Sequence, residues 1–254
     1  MTAWLPVTGG ESGASVFRSA DGSRYAKVVG AAEVADLAAE RDRVAWAGEQ
    51  GLPVPAVIDW HTTADGGARL ITSAVAGVAA DSLPEAALRA AWPGIVAALA
   101  ALHGLAPTSC PFSRELDLML SRARAVVAAD AVNPEFLSDD DRGVAATELL
   151  ARIECEAELR RRQEPADRVV CHGDLCLPNI MVDPEGYTVE GFIDLGRLGV
   201  ADRHADLALL LANTADTFPG FAADAAAGVA AGYPAEVDEQ RLRFYLALDP
   251  LTWG

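Results

Sequence analysis

Between residues 4 and 30 apolar and polar side chains alternate with a period of two, interrupted by glycines and by Asp21-Gly22. Such alternation buries one face of a strand, and an Asp-Gly pair between two alternating runs closes a hairpin. Strands are therefore expected at Ser15–Arg18 and Arg24–Val29. Val34, Leu37, Arg41, Val44 and Ala45 recur at helical spacing, which predicts a helix over Ala32–Gln50, ended by Gly51 and followed by Pro53 and Pro55. Val57–Trp60 and Ala68–Thr72 read as a second strand pair around Asp65-Gly66-Gly67. The small residues of Ser73–Ala80 suit a hinge.

From Pro84 the period changes to that of helices, expected at Glu85–His103, Glu115–Ala129 and Arg142–Arg162. A second β patch follows, with short strands at Val169–Val170, Ile180–Val182 and Thr188–Ile193, and helices return at Asp202–Thr214, Phe218–Gly232 and Gln240–Leu248. The pattern predicts an α+β chain of two lobes. Residues 1–75 form a small β-rich lobe, and residues 76–254 form a larger, mainly helical lobe with an embedded hairpin.

Composition narrows the function. The chain has 254 residues, 51% of them hydrophobic and 22% charged, which excludes a wholly disordered protein. Its net charge of -17 argues against a nucleic-acid partner, because phosphate recognition needs clustered Lys and Arg, and favours a cationic one. The charge is uneven: residues 1–90 carry 11 acids and 7 bases, and residues 91–254 carry 26 acids and 13 bases. A cation site is thus expected in the later part. The longest unbroken apolar stretch, around Ile95–Leu102, is shorter than the ~18–20 residues of a membrane span. No basic region followed by an apolar core opens the chain, so a cytoplasmic protein without a membrane anchor is expected. The four cysteines show neither a CxxC nor a Cys/His ligand spacing and read as reduced thiols rather than a zinc site.

Of the 20 basic residues 19 are arginine, and the one lysine is Lys27, on the second predicted strand. A compact ammonium differs from a planar guanidinium, so a lone lysine can mark a place that requires a point charge. Glu40 lies on the helix after it. Further on, His172-Gly173-Asp174 is followed by Asn179, five residues after Asp174, and a hairpin leads to Asp194-Leu195-Gly196-Arg197. Phosphoryl transfer needs a carboxylate at the attacking hydroxyl and oxygen ligands for the magnesium that bridges nucleotide phosphates. An Asp-x4-Asn loop and a later Asp-x-Gly supply both. The Gly9-Gly10-Glu11-Ser12-Gly13 loop precedes a strand and offers backbone N–H groups to phosphate; it is not a Walker loop.

His-Gly-Asp-x-Cys-x-Pro-Asn followed by Ile-Asp-Leu-Gly-Arg-x-Gly-x-Ala-Asp-Arg resembles the hallmark of the aminoglycoside phosphotransferases, which share the protein-kinase fold. Trp4-Leu5-Pro6-Val7, Glu40-Arg41-Asp42-Arg43 and the ending Leu248-Asp249-Pro250-Leu251-Thr252-Trp253-Gly254 look closer still to the streptomycin 3''-phosphotransferase branch. The kanamycin and neomycin 3' enzymes end in Leu-Asp-Glu-Phe-Phe and carry an Arg-Asp pair where this chain has Ala212 and Asn213. The resemblance implies a bilobal kinase-like fold, ATP and Mg2+ as cofactors and a small cationic aminoglycoside, streptomycin, as partner, with no obligate protein partner. It implies that Asp174 accepts the hydroxyl proton and that Asn179 and Asp194 hold magnesium. Lys27, paired with Glu40, would bind the nucleotide phosphates, helped by Ser12 and Gly13. Adenine would lie against the Ser73–Ala76 backbone, at Ser73 and Val75, and Asp206 would brace the catalytic loop. Arg197 would either stabilise the transferred phosphate or pair structurally. Asp139 and Asp140, within the acidic run Glu135–Asp141, and Asp249 with Trp253 are the residues expected at the drug; the alternative for the acidic run is a solvated helix cap at Ser138. Two other readings stand beside this one: a 3'-kinase of kanamycin-type drugs and a catalytically dead kinase-like binding module.

Overall fold

Residues Met1–Leu83 and Pro178–Arg197 pack as one unit, and Pro84–Leu177 with Leu198–Gly254 as a second. The computed structural model describes residues 3–7 and 14–253. The division differs from the expected break between residues 75 and 76. It falls after Leu83, and the hairpin expected inside the helical lobe belongs to the first unit.

In the first unit, β1 (Trp4–Pro6), β2 (Ser15–Ser19) and β3 (Arg24–Val29) run antiparallel. The Asp21 carboxylate closes the β2–β3 turn by accepting from the Ser19 hydroxyl (2.6 Å) and the Ser23 backbone N–H (3.1 Å), local bonding that suits Asp to a chain reversal. Helix α1 (Val34–Glu49) follows a 3-10 turn. With β4 (Val57–Thr62) and β5 (Ala68–Ser73) the sheet is complete, in the order β1-β2-β3-β5-β4. Leu37 of α1 is buried with Ala68 and Leu70, and Val29, Val34, Val57 and Trp60 pack around them. The expected hinge is partly strand: Ser73 ends β5, and Val78–Ala79 forms β6.

The second unit contributes α2 (Glu85–His103), α3 (Leu116–Ala128), α4 (Ala146–Asp167) and β7 (Arg168–Cys171). The chain then returns to the first unit, where β8 (Ile180–Val182) and β9 (Val189–Phe192) join β6 in a three-stranded antiparallel sheet. Back in the second unit, β10 (Gly199–Asp202) pairs with β7, and α5 (His204–Thr217), α6 (Ala222–Gly232) and α7 (Glu239–Leu248) follow. Buried side chains of α3, α4, α5 and α7, among them Leu120, Ile153, Ala208, Phe244 and Tyr245, form its main core.

Helix α2 is long and apolar enough, by length and composition only, to cross a membrane. The unbroken apolar stretch within it is still only Ile95–Leu102, bounded by Pro93-Gly94 and His103; it is the average over the whole helix that is apolar. In the structure α2 is a core helix. Leu88, Trp92, Ile95, Leu99 and Leu102 are buried at helical spacing, and the Trp92 indole donates to Ala225 O of α6 (3.0 Å).

Helix α4 begins four residues later than expected. Ser138 and Asp141 close a separate turn, through Ser138 Oγ to Asp141 Oδ2 (2.8 Å) and Asp141 N to Ser138 O (3.0 Å). The helix also runs five residues further, past Pro165. In that last stretch the buried Glu164 carboxylate accepts the Leu116 N–H (2.7 Å), an orphan donor at the start of α3.

Candidate active site

Within the first unit, Lys27 sits on β3, between Val16 of β2 and Leu70 of β5. Its Nζ lies 2.8 Å from Glu40 Oε2 on α1 and 3.2 Å from Asp194 Oδ1 in the loop after β9. The only lysine of the chain is thus bracketed by two carboxylates, as the sequence reading required for Glu40 and did not foresee for Asp194. Burial opposes its charge, but Asp194 and Glu40 outweigh that and hold the ammonium above its ordinary pKa. Burial pushes the Glu40 carboxyl up, with Lys27 pulling it back down.

Asp194 is partly exposed and has φ +59°, a left-handed backbone unusual outside glycine. Such conformations persist where surrounding structure holds them, often at functional sites. One residue before it, Ile193 N donates to Asn179 O (3.0 Å), which ties the Asn179 turn to the Asp194 loop. The two expected metal ligands therefore stand on neighbouring strand ends. Both offer hard oxygens, the donor type magnesium prefers. Arg197 is half-buried at the end of this unit.

At the expected adenine contact, Ser73 is committed to the sheet. Its N–H donates to Ala56 O (2.9 Å), and its hydroxyl accepts the Ala56 N–H (2.9 Å). Those two Ser73 groups are therefore already engaged by Ala56, the residue before β4. Val75, by contrast, makes no backbone hydrogen bond among the described residues. Ser12 and Gly13 lie outside the described residues.

Within the second unit, the loop carrying Asp174 is held from α5. The buried Asp206 carboxylate accepts the His172 N–H (2.6 Å) and the Gly173 N–H (2.8 Å). His103 Nε2 stands 3.2 Å from it, and His103 Nδ1 is 2.6 Å from the Tyr233 hydroxyl. Burial alone would raise the Asp206 carboxyl, but these donors hold it below the usual carboxylate range. Gly173 has φ +85°, which lets both N–H groups turn toward one carboxylate. At the far end of the loop, Leu177 N donates to Asn213 Oδ1 (2.8 Å). Between these anchors, Cys176 N donates to Asp174 O (3.0 Å), and Cys176 Sγ lies 3.7 Å from Asp174 Oδ1.

His103, Cys171 and Asp206 bring potential ligand atoms within 4.8 Å of one another. They form a hydrogen-bonded core cluster rather than a metal centre: both Asp206 oxygens have donors, and the Cys171 thiol, pushed well up by burial, lies 3.5 Å from Asp202 O.

The expected drug residues fall into two groups. Asp249 is buried, with Oδ1 taken by Arg114 (2.7 Å) and Oδ2 by the Trp253 indole N–H (2.9 Å). Asp249 and Trp253, both expected at the drug, thus bond to each other. Trp253 also meets Phe136 edge-on, at 5.9 Å between ring centres, which sets the acidic segment beside the C-terminal turn. In that segment Asp139 is exposed and paired with Arg142 (2.7 Å), Asp140 is exposed, and Asp141 bonds Ser138. The helix-cap alternative is also corrected, because α4 starts at Ala146.

Sequence reasoning missed Arg114, His103 and Cys176. Nothing local marks Arg114 or His103, whose partners lie more than 100 residues away along the chain. Asn213 was visible only as a departure from the Arg-Asp pair.

A model of the phosphotransferase enzyme family matches residues 3–245. The streptomycin 3''-kinase of Streptomyces griseus is 57% identical over 253 residues, covering 99% of this chain and 93% of that protein. The aminoglycoside 3'-phosphotransferase of Streptomyces fradiae is 39% identical over 257 residues, 97% of this chain and 94% of that protein. The structure of aminoglycoside phosphotransferase APH(3'')-Id from Streptomyces rimosus in complex with ADP and streptomycin superposes with a TM-score of 0.93. Its sequence identity is 53%, over 99% of this chain and 93% of that one.

Proposed function

The chain belongs to the phosphotransferase enzyme family, and from that membership we propose a chemistry for its residues. It is an aminoglycoside phosphotransferase that moves the γ-phosphoryl group of ATP to the 3''-hydroxyl of streptomycin and so inactivates the drug. The substrate follows from the 57% identity to a streptomycin 3''-kinase and from the likeness to a structure holding ADP and streptomycin. The observation that carries the chemistry is the lone lysine set 2.8 Å from Glu40 and 3.2 Å from Asp194.

Lys27 neutralises nucleotide phosphate, and Glu40 holds its side chain in place. A compact ammonium suits this role because it can turn its three donors to either a carboxylate or a phosphate oxygen. Asn179 and Asp194 would hold Mg2+, which when bound neutralises charge on the β- and γ-phosphates. The Val75 backbone would receive adenine, and Ser12 and Gly13 remain assigned to phosphate. Asp174 orients the 3''-hydroxyl and accepts its proton as the oxygen bonds to γ-phosphorus and ADP departs. Arg197 is assigned to the transferred phosphate. Asp139 and Asp140, exposed and anionic, suit the guanidinium groups of streptomycin through paired charge-assisted hydrogen bonds. Asp249 and Trp253 act on the drug indirectly, by setting the C-terminal turn beside the acidic segment. Its use of ATP, made inside the cell, fits a cytoplasmic location.

The test is a competition between equal streptomycin and kanamycin with ATP, reading products by mass and the phosphate position by NMR. Phosphate on the streptomycin 3''-hydroxyl is expected. Preferential kanamycin turnover would favour the 3' reading instead, and no turnover of any aminoglycoside would favour a binding module.

A further inference from the structure

Cys176 stands next to the proton-accepting carboxylate, in a loop whose every turn is tied down. Its own N–H bonds Asp174 O (3.0 Å), and the next N–H, of Leu177, bonds Asn213 Oδ1 (2.8 Å). These two bonds fix the backbone on either side of the Cys176 side chain, and its Sγ comes to 3.7 Å from Asp174 Oδ1. Asp174 is held from the other side as well, its N–H reaching His172 Nδ1 at 3.3 Å. A thiol donates a weak hydrogen bond, and does so only while protonated.

We propose that Cys176 is a positioning residue for Asp174, its S–H donated to Oδ1 so that the carboxylate is held at one rotation and its proton affinity is lowered. The proposal rests on the reading of Asp174 as proton acceptor. The surroundings keep the thiol in its donor form. Burial disfavours a thiolate there, and the carboxylates facing it from three elements, Asp174 in its own loop, Asp249 after α7 and Asp206 on α5, disfavour it further, so its pKa is raised. A thiol so placed does not act as a nucleophile. Its consequence is borne by its neighbour: a carboxylate that accepts a hydrogen bond in its charged form is easier to ionise. The S–H donor therefore extends toward acid the range in which Asp174 can take the hydroxyl proton.

Two measurements test this. The first is the pH profile of kcat/KM for the parent, Cys176→Ala and Cys176→Ser, with whichever aminoglycoside the parent phosphorylates. Loss of the donor in Cys176→Ala should move the acid limb up by ~0.5 pH unit and lower kcat about 3- to 10-fold. Cys176→Ser, which keeps a donor, should return the limb to the parent position or below it. A purely structural role would lower thermal stability in the variants and leave the limb in place. The second measurement needs no turnover and so stands apart from the substrate assignment. The infrared S–H band of Cys176, identified by its loss in Cys176→Ala, should move to higher frequency in Asp174→Ala. An acid limb unmoved in both variants, or an S–H band indifferent to Asp174→Ala, would overturn the proposal.

Discussion

At the scale of single residues the site is built from charges whose partners can be named. Lys27 is held above its ordinary pKa by Asp194 and Glu40 against the opposing effect of burial. A raised lysine stays charged to higher pH than a free one, so Lys27 contributes no loss of activity between pH 6 and 9 on the order-of-magnitude scale of lysine titration. Lys27→Arg keeps the charge but brings a longer planar group into a place that is 20% exposed and already flanked by two carboxylates. A fall of ~10²-fold in kcat/KM is expected, with the loss read mainly against ATP. Steady-state kinetics at varied ATP checks this; an arginine variant with parent kinetics would mean that any cation serves there. This pair was legible in the sequence because the lone lysine marks Lys27 and the resemblance to the kinase fold implies its pairing with Glu40 on the following helix. The Asp249 site was not. Its carboxylate was expected to face a ligand, and it is instead closed by Arg114, 135 residues away in sequence. A sequence shows which groups are charged but not which distant charge satisfies them.

Among the elements, α5 acts as the rail on which the Asp174 loop is mounted. Asp206 and Asn213 lie seven residues apart, two helical turns, and so share a face. Asp206 takes the N–H groups of His172 and Gly173, and Asn213 takes that of Leu177, so both ends of the loop hang on one helix. Removing the Asn213 acceptor leaves a part-buried N–H unpaired, at a cost of about 1–3 kcal/mol. Asn213→Ala should lower kcat with little change in the KM for streptomycin, and Asn213→Asp, which keeps an acceptor oxygen, should restore most of it. Equal KM and kcat effects in both variants would show that the bond is incidental. Asp206 also gives a pH signature. Its native carboxyl lies below the usual range, so it stabilises the fold above its unfolded pKa of ~3.9 and loses that contribution as pH falls through the native value. Thermal melts should therefore fall more steeply below pH 4 in the parent than in Asp206→Asn. The helices were legible from their period, while β6 and β10 were not. β6 has 2 residues, too short for periodicity to register, and β10, though as long as β7 and β9, was not read as a strand; each pairs with a neighbour, β6 with β8 and β10 with β7. The hinge glycine Gly77 belongs to the same class of hidden constraint. It has φ +86°, and a Cβ there would come within 2.4 Å of Val182 O on the adjoining strand. Gly77→Ala should destabilise the protein by about 1–3 kcal/mol, seen as a lower midpoint in urea denaturation.

On the scale of the whole molecule, a composition shift does not reveal a unit that leaves the chain and comes back. Residues 178–197 rejoin the first unit because β8 pairs with β6 and Phe192 N donates to Pro53 O (2.9 Å), contacts that no local pattern announces. The net charge, in contrast, was legible and has a kinetic consequence. At -17 overall, with most of the excess acid after residue 90, the molecule attracts a polycation and repels an anion. Its two substrates carry opposite signs: streptomycin bears guanidinium and amine cations, whereas ATP is an anion. Long-range forces act on encounter rates and are screened over ~10 Å at 0.1 M salt, while short contacts within a bound complex are screened less. Raising sodium chloride from about 20 to 300 mM should therefore lower kcat/KM for streptomycin several-fold. Over the same range kcat/KM for ATP should stay level or rise, because salt relieves repulsion there. Opposite slopes separate steering from a general salt effect on the enzyme, which would move both constants together. An uncharged osmolyte at matched osmolality should change neither. If both constants fall in parallel, the acidic surface serves solubility alone, and recognition of the drug rests on short-range contacts rather than on the long-range field.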